Sequence, residues 1–129
     1  MYPEDLKYTT DHEWVRAVDA TTIRFGITDY AQKQLGDVVF LELPEQGRGV
    51  KAAENFGTVE SVKAVSELFA PAEGEVVAVN TALVAKPEAI NKDPHGAAWM
   101  IEIRITNSAS LGGLMDAKAY QALVDSESK

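Results

Sequence analysis

The sequence contains no cysteine and only two histidines, His12 and His95. Without cysteine the chain can form neither a disulfide nor a thiolate metal site, and any sulfur redox chemistry would require an imported dithiol. The segment "DHEW" gives only the first half of an H-E-x-x-H zinc motif, because Arg16 stands where the second histidine would be. We expect both histidines to be surface or packing residues. The sequence also lacks a G-x-S-x-G segment and so indicates no hydrolase.

Basic residues are few, and long apolar runs are absent. The chain has 12 lysines and arginines against 20 aspartates and glutamates, a net charge of −8. This balance disfavours nucleic acids and anionic membranes as partners, because both require basic residues to neutralise phosphates. It suits either simple solubility or docking on partners with positively charged entrances. No segment has the roughly 20 apolar residues of a membrane span, and no secretory signal is recognisable. We therefore expect a cytoplasmic protein, or a mitochondrial matrix protein if the chain is a processed eukaryotic form.

The hydrophobic pattern predicts many short strands and two or three short helices in one domain covering residues 1–129, with the last few residues flexible. A hairpin is predicted from "EWVRAVD" and "TTIRFGI", a strand from "DVVFLELP", and a strand pair from "LFAPAEGEVVAVN". A helix is predicted from its N-cap Thr28 to Gly36, and a helical turn begins at Pro87. No β-helix-β alternation appears, so a parallel nucleotide-binding sheet is not expected.

Two further segments predict parts of the core. In "AAWMIEIRI", alternate residues fall on one face, and we expect that face to be buried: Trp99, Ile101, Ile103 and Ile105. The segment "MDAKAYQALVDSES" predicts a C-terminal helix with one apolar stripe: Met115, Ala119, Ala122 and Leu123.

The segment "GRGVKA", residues 47–52, formally matches the G-x-G-x-x-G/A dinucleotide pattern. The pattern has mechanical meaning only where a helix N-terminus receives the pyrophosphate. Here the chain runs on into the β-like segment "NFGTVES", so we interpret the glycines as turn residues.

The segment "FGTVESVKAVSEL" places Lys63 between two strand-like runs. Such a lysine is either an ordinary solvated residue, a catalytic amine or an attachment point for a prosthetic group. Schiff-base lysines are usually desolvated, which lowers a pKa near 10.4, whereas a hairpin tip is wet. A hairpin tip does present an ε-amine well to a modifying enzyme, and acylation would turn the side chain into a long neutral arm.

At this point the sequence resembles known carriers. "FGTVESVKAVSEL" followed by "FAPAEGEVVAVN" is similar to the lysine-bearing region of lipoyl and biotinyl domains, and Val62 and Ala64 replace the flanking methionines typical of biotinyl carriers. "HEWVR", "GITDYAQKQLGDVVFLELPEQG", "VESVKA", "INKDPHGAAWMIEI" and "DAKAYQALV" together resemble the H proteins of the glycine cleavage system. The likeness runs from about Leu6 to Val124. The turn in "AVDATTI" is slightly longer than is common in the family.

The resemblance implies a mainly β fold, the barrel-sandwich hybrid of lipoyl domains, with short helices and a C-terminal helix. It implies a non-catalytic carrier with lipoate attached covalently to Lys63 by lipoate-attaching enzymes. The arm would visit three partners: a pyridoxal-phosphate glycine decarboxylase (P protein) loads an aminomethyl group, a tetrahydrofolate-dependent aminomethyltransferase (T protein) removes it, and dihydrolipoyl dehydrogenase (L protein) reoxidises the dithiol.

The resemblance also implies site residues. Besides Lys63, the cofactor-binding residues are the neighbours that form its hairpin: Glu60, Ser61, Val62 and Ala64. A loaded arm carries an ammonium group, which needs a sheltered acidic partner. The family's groove glutamate in the His-Glu-Trp motif corresponds to Glu13, and Glu67 is a second candidate.

Two other interpretations stay open from the sequence. The modified protein could be a lipoyl relay donor for 2-oxoacid dehydrogenase complexes that never handles glycine. Alternatively, the chain could be an unmodified structural member of the fold. The mass of the native protein distinguishes the last case, and an assay with glycine decarboxylase distinguishes the first.

Overall fold

The computed structural model describes residues 2–128, with side chains throughout except at positions 108–110. Strands and short helices alternate along the chain. In order, the elements are β1 (Lys7–Tyr8), β2 (Glu13–Ala17), β3 (Thr22–Ile27), α1 (Asp29–Leu35), β4 (Val38–Glu42), β5 (Gly49–Val50), β6 (Asn55–Ser61), β7 (Val65–Phe69), β8 (Gly74–Val79), α2 (Thr81–Ala85), α3 (Ala89–Lys92), β9 (Ile101–Ile105), a 3-10 helix (Ser108–Gly113) and α4 (Ala117–Glu127).

The strands form two antiparallel sheets. The larger has the order β1-β2-β3-β9-β8-β5, and the smaller has the order β4-β6-β7. One hydrophobic cluster fills the space between them and includes Phe25 and Ile103 from the larger sheet and Val59 from the smaller. A second cluster joins the first strands to α4, with Tyr8 stacked on Tyr120 at 4.6 Å between ring centroids. The predicted fold class, mainly β with short helices and a C-terminal helix, is confirmed.

The local signals around the first hairpin and first helix were interpreted correctly. Strands β2 and β3 pair antiparallel, with Val15 opposite Phe25. Helix α1 begins after Thr28, whose side chain accepts a hydrogen bond from the Ala31 amide, as an N-cap does. It ends at Gly36, which has a φ of +81°. This backbone conformation is one that L side chains rarely adopt, so glycine is required there.

Three details of the sequence prediction were wrong in the middle of the chain. The two strands within "LFAPAEGEVVAVN" exist as β7 and β8 but do not pair, because β7 joins the small sheet and β8 joins the large one. The helical turn predicted from Pro87 begins two residues later, at Ala89. Helix α2 was not predicted, although Asn80 caps it by accepting from the Leu83 amide.

The predicted core faces need two further corrections. Trp99 lies outside β9, is only partly buried and packs under the Arg24 guanidinium at 4.6 Å, whereas Ile101 and Ile103 are fully buried as predicted. The alternation breaks because Met100, the next residue, is also fully buried.

In α4 the buried face differs from the predicted stripe. Its buried residues are Ala117, Tyr120 and Val124, whereas Ala119 and Ala122 are exposed. The helix runs to Glu127, so the flexibility expected of the last few residues stays a prediction, and Lys129 lies outside the described residues. Among the helices of residues 2–128, none combines the length and apolar character needed to cross a membrane.

Candidate functional site

Lys63 lies at the tip of the β6–β7 hairpin, as predicted, and its side chain is exposed. The turn is closed by Ser61, whose backbone amide donates to the Ala64 carbonyl at 2.8 Å. The Ser61 hydroxyl oxygen also accepts from the amides of Lys63 and Ala64, at 3.3 and 3.1 Å. The hydrogen bonds of the buried Ser61 therefore stabilise this turn, so the turn does not need the Asn-Gly pair of common hairpins.

The loop that follows α1 supports this tip. The Val62 amide donates to the Asp37 carbonyl at 3.0 Å, which ties the hairpin to the loop. The aliphatic stem of Lys63 passes over Gly36, where an added Cβ would lie only 3.3 Å from the Lys63 Cε atom. Glycine at this position thus provides both the backbone conformation and the space for the lysine stem. The stem is directed across the C-terminal end of α1.

A small cavity of about 200 Å³ lies between α1, the start of β2 and the hairpin strands. Its walls come from three separate parts of the chain: Asp11, His12, Glu13, Ile27, Tyr30, Ala31, Gln34, Leu35, Val59, Ser66, Glu67 and Leu68. The cavity brings together the two carboxylates, Glu13 and Glu67, that the sequence singled out. It also borders Leu35, the last residue of α1 before the glycine that lies under Lys63.

Glu13 is the most unusual residue of this cavity. Its exposed fraction is only 3%. One carboxyl oxygen, Oε2, accepts from the Phe69 amide at 3.0 Å, whereas Oε1 is buried without a hydrogen-bond partner in the structure. Burial raises the pKa of Glu13 to about 8, the bond from Phe69 lowers it, and the nearby Asp11 raises it further. A buried polar atom without a hydrogen-bond partner costs free energy, and a cationic ligand would satisfy it by favouring the ionised carboxylate.

Four other predicted site residues lie on the hairpin and do not line the cavity: Glu60, Ser61, Val62 and Ala64. Glu60 is exposed on β6, opposite Phe40 on one side and Val65 on the other. Val62 is 69% exposed beside the lysine. Glu67 is exposed at the cavity mouth, so it differs from the buried Glu13.

Sequence reasoning missed how His12 is used. The His12 imidazole borders the cavity. It forms two hydrogen bonds of 2.8 Å, one between Nδ1 and Tyr120 Oη and one between Nε2 and Glu127 Oε1. The backbone of His12 is left-handed, with a φ of +66°. The signal that could have indicated this is weak, since histidine is several-fold enriched in left-handed conformations but such conformations are uncommon for any residue except glycine. His95 lies elsewhere and accepts from the Asp29 amide at 3.1 Å. Burial lowers the pKa of His95.

The segment 47–52 is built as a turn. Gly47 has a φ of +98°, and Gly49 and Val50 form the short strand β5. No helix begins there, so no helix N-terminus is available for a pyrophosphate.

Two antiparallel sheets with an exposed lysine on a hairpin tip place the chain in the barrel-sandwich hybrid class. The comparisons with known proteins are more specific. A family model described as "Glycine cleavage H-protein" matches residues 6–127. The chain therefore belongs to the glycine cleavage H-protein family.

Relatives named "Glycine cleavage system H protein" share about half of their residues with this chain. The protein of Symbiobacterium thermophilum is 55% identical over 120 residues, which is 93% of each chain. That of Bacteroides fragilis is 48% identical over 124 residues, 96% of this chain and 98% of its own. The crystal structure of a glycine cleavage system H protein from Mycobacterium marinum has a TM-score of 0.85 at 45% identity and covers 94% of this chain and 97% of that one.

Proposed function

We propose that this chain is a non-catalytic lipoyl carrier of glycine cleavage, with lipoate in amide linkage to Lys63 Nζ and the whole chain, residues 1–129, forming one carrier domain. The observation that carries the proposal is the buried Glu13 carboxyl, which has an unpartnered oxygen in a cavity beside the lysine hairpin. A carrier that only presents an arm has no use for such a group. A carrier that must shelter a cationic cargo does need a buried carboxyl, because the carboxylate can pair with the cation.

The residues present fit a lipoyl arm. Lys63 is exposed for an attaching enzyme, which would supply an activated acyl donor and leave the amide on Nζ. Ser61, Val62 and Ala64 fix the turn that presents the lysine, and Glu60 adds a carboxylate beside it. When bound, the lipoyl group would supply a disulfide, the oxidised form that can accept both the one-carbon cargo and two electrons, and its dithiol would be the reduced form left once the cargo has gone.

The cavity is suited to hold the charged end of that cargo. Ile27, Leu35 and Leu68 provide apolar walls that exclude water. Within this low-dielectric space, an ammonium group would favour the ionised form of Glu13 and form a charge-assisted hydrogen bond with it. Glu67 and Asp11, at the same cavity, add negative charge that attracts a cation. The cavity thus favours the loaded arm over the empty one.

The proposed partners follow from this role. They are the P, T and L proteins, namely glycine decarboxylase, aminomethyltransferase and dihydrolipoyl dehydrogenase, together with the lipoate-attaching enzymes. The bacterial relatives support a cytoplasmic location for this system. Tethering raises the local concentration of the cargo once a partner docks, without a free intermediate.

Mass spectrometry and a coupled assay test the proposal. The intact protein from a lipoate-supplied host should carry one lipoyl group, which peptide mapping should place on Lys63. Lys63→Arg should lose both the group and the release of labelled carbon dioxide from carboxyl-labelled glycine by purified decarboxylase. Lys51→Arg, which changes another exposed lysine, should keep both. A lipoylated protein that the decarboxylase ignores would favour the lipoyl relay instead, and an unmodified protein would refute both roles.

A further inference from the structure

The residue before Glu13 has an unusual backbone. His12 has a φ of +66°, which only a few per cent of non-glycine residues adopt. Such conformations cost free energy and persist where the surrounding structure enforces them, often at functional sites. Because Glu13 follows directly, the backbone of His12 determines where β2 begins and how the Glu13 side chain enters the cavity. Whatever holds His12 therefore also orients Glu13.

The C-terminal helix holds His12 at both ring nitrogens. Glu127 Oε1 lies 2.8 Å from Nε2, and Tyr120 Oη lies 2.8 Å from Nδ1. Because a carboxylate only accepts hydrogen bonds, Nε2 carries the proton and donates to Glu127. With a neutral ring, Nδ1 then accepts from the Tyr120 hydroxyl. The imidazole is fully satisfied, and both partners come from α4, more than 100 residues away in sequence.

The same tyrosine also contacts the start of α1, the helix on the other side of the cavity. Tyr120 Oη lies 2.6 Å from Thr28 Oγ1, and Thr28 is the N-cap of α1. Because Tyr120 uses its proton on His12, the Thr28 hydroxyl donates to Tyr120, and Thr28 Oγ1 still accepts from the Ala31 amide. The Thr28 amide in turn donates to the His12 carbonyl at 3.0 Å. One buried hydroxyl thus joins the strand that carries Glu13 to the helix that faces it.

We propose that Tyr120 and Glu127 form a clamp, the α4 clamp, which positions Glu13 by holding His12 in its left-handed conformation and fixing the start of α1. The C-terminal helix is then part of the carrier site, although α4 contributes no residue to the cavity lining. Tyr120 and Glu127 are positioning residues that act through His12. The importance of the clamp for the cargo rests on the proposed function, but its effect on Glu13 does not.

The test uses two variants that each remove one buried hydroxyl from the same aromatic stack. Tyr120→Phe keeps the ring stacked on Tyr8 but frees His12 and Thr28. Tyr8→Phe is the matched control, because the Tyr8 hydroxyl donates to the Pro3 carbonyl at 2.7 Å and, within the described residues 2–128, is not hydrogen-bonded to His12 or Thr28. The readout is the titration of the Glu13 carboxyl carbon by NMR in the full, unmodified chain. Asp11, His12, Tyr30 and Glu67 border the same cavity and are followed in the same spectra.

If the clamp positions Glu13, Tyr120→Phe admits water to the carboxyl and lowers the pKa of Glu13 by about one unit or more, whereas Tyr8→Phe leaves it unchanged. Equal titration in the wild type and both variants would overturn the proposal. So would an equal decrease in both variants, because that would reflect general loosening of the aromatic stack.

A second variant covers the case in which Tyr120→Phe does not fold. His12→Asn tolerates the left-handed backbone but is too short to reach both clamp residues. It should lower the pKa of Glu13 as Tyr120→Phe does, and an unchanged titration would again overturn the clamp. Since no arm is attached in these samples, the result does not depend on whether Lys63 is lipoylated. Failure of the clamp and failure of the carrier role are therefore distinguishable.

Discussion

Replacing Glu13 by glutamine should change how the stability of the protein depends on pH. The folded protein retains the Glu13 proton up to about pH 8, whereas the unfolded chain releases it near its ordinary value of 4.5. Between these values the folded state binds more protons than the unfolded state, so stability falls as the pH rises. Glutamine keeps the shape and can still accept from the Phe69 amide, but it has no proton to lose. The variant should therefore become more stable, relative to the wild type, as the pH rises through this window.

The size of this stability difference follows from how far the pKa of Glu13 is raised. Each pH unit inside the window is worth at most about 1.4 kcal/mol, so the difference in unfolding free energy should grow by about 2 kcal/mol between pH 5.5 and 7.5. With an m-value of about 1.5 kcal/mol/M, that corresponds to a change of about 1 M in the difference between the urea midpoints. Subtracting the unfolding free energy of the wild type from that of the variant removes the contribution of the ionisable groups that the two proteins share.

Urea unfolding of unmodified protein, followed by circular dichroism at several pH values, measures this difference. Glu67→Gln is the control, because it removes an exposed carboxyl at the same cavity and should give a curve parallel to the wild type. A constant difference between Glu13→Gln and wild type across the window would refute the reasoning. It would mean that Glu13 is ionised, and so hydrated, in the folded protein.

Four further predictions concern the arm and the core. Lys63→Arg should unfold at the wild-type temperature, since an exposed charge is retained; a clear decrease in calorimetry would mean that the lysine stem contributes to packing over Gly36. Ile101→Ala should cost about 2–5 kcal/mol in urea unfolding, because its side chain is fully buried. Trp99→Ala should cost less than Ile101→Ala, since Trp99 is only partly buried, and the reverse order would contradict the described packing. Glu13→Gln should shorten the lifetime of the loaded arm by about tenfold, measured as ammonia release after the decarboxylase is removed, because a charge-assisted hydrogen bond worth about 1.5–3 kcal/mol is weakened; equal decay in both proteins would place the shelter elsewhere.

The features that the sequence predicted well are encoded locally. The hairpin strands, the N-cap Thr28 and the terminating Gly36 each depend on residues within a few positions, and all three are found in the structure. The position of Lys63 at a hairpin tip was predictable for the same reason. Its turn chemistry was not, because it uses a buried serine hydroxyl in place of a familiar turn pair.

The features that the sequence did not predict correctly depend on contacts between distant parts of the chain. The alternation of buried and exposed residues that includes Ile101 does not extend back to Trp99. The Asn80 side-chain amide donates a hydrogen bond to the Trp99 carbonyl at 2.7 Å, and β9 begins only at Ile101. The buried face of α4 is selected by Tyr8, on which Tyr120 stacks, and no pattern within the helix specifies that partner. The residues of the cavity likewise meet only in the folded chain. Glu13 and its sheltered position were predicted only through the family resemblance, because no local pattern indicates that a carboxyl is buried.

Because three separate segments of the chain line the cavity, the site cannot be transplanted as one continuous piece. A designer who moves the segment from Phe56 to Phe69 onto another β scaffold transfers a complete acceptor hairpin, with Lys63 and the serine that closes its turn. That graft leaves behind residues 11–13 and the segment from Ile27 to the end of α1, which together supply most of the cavity wall. We expect such a graft to be modified by an attaching enzyme and yet to lose its cargo to water quickly. Recognition of the lysine and protection of what it carries are separable modules, and only the first lies in one continuous stretch of chain.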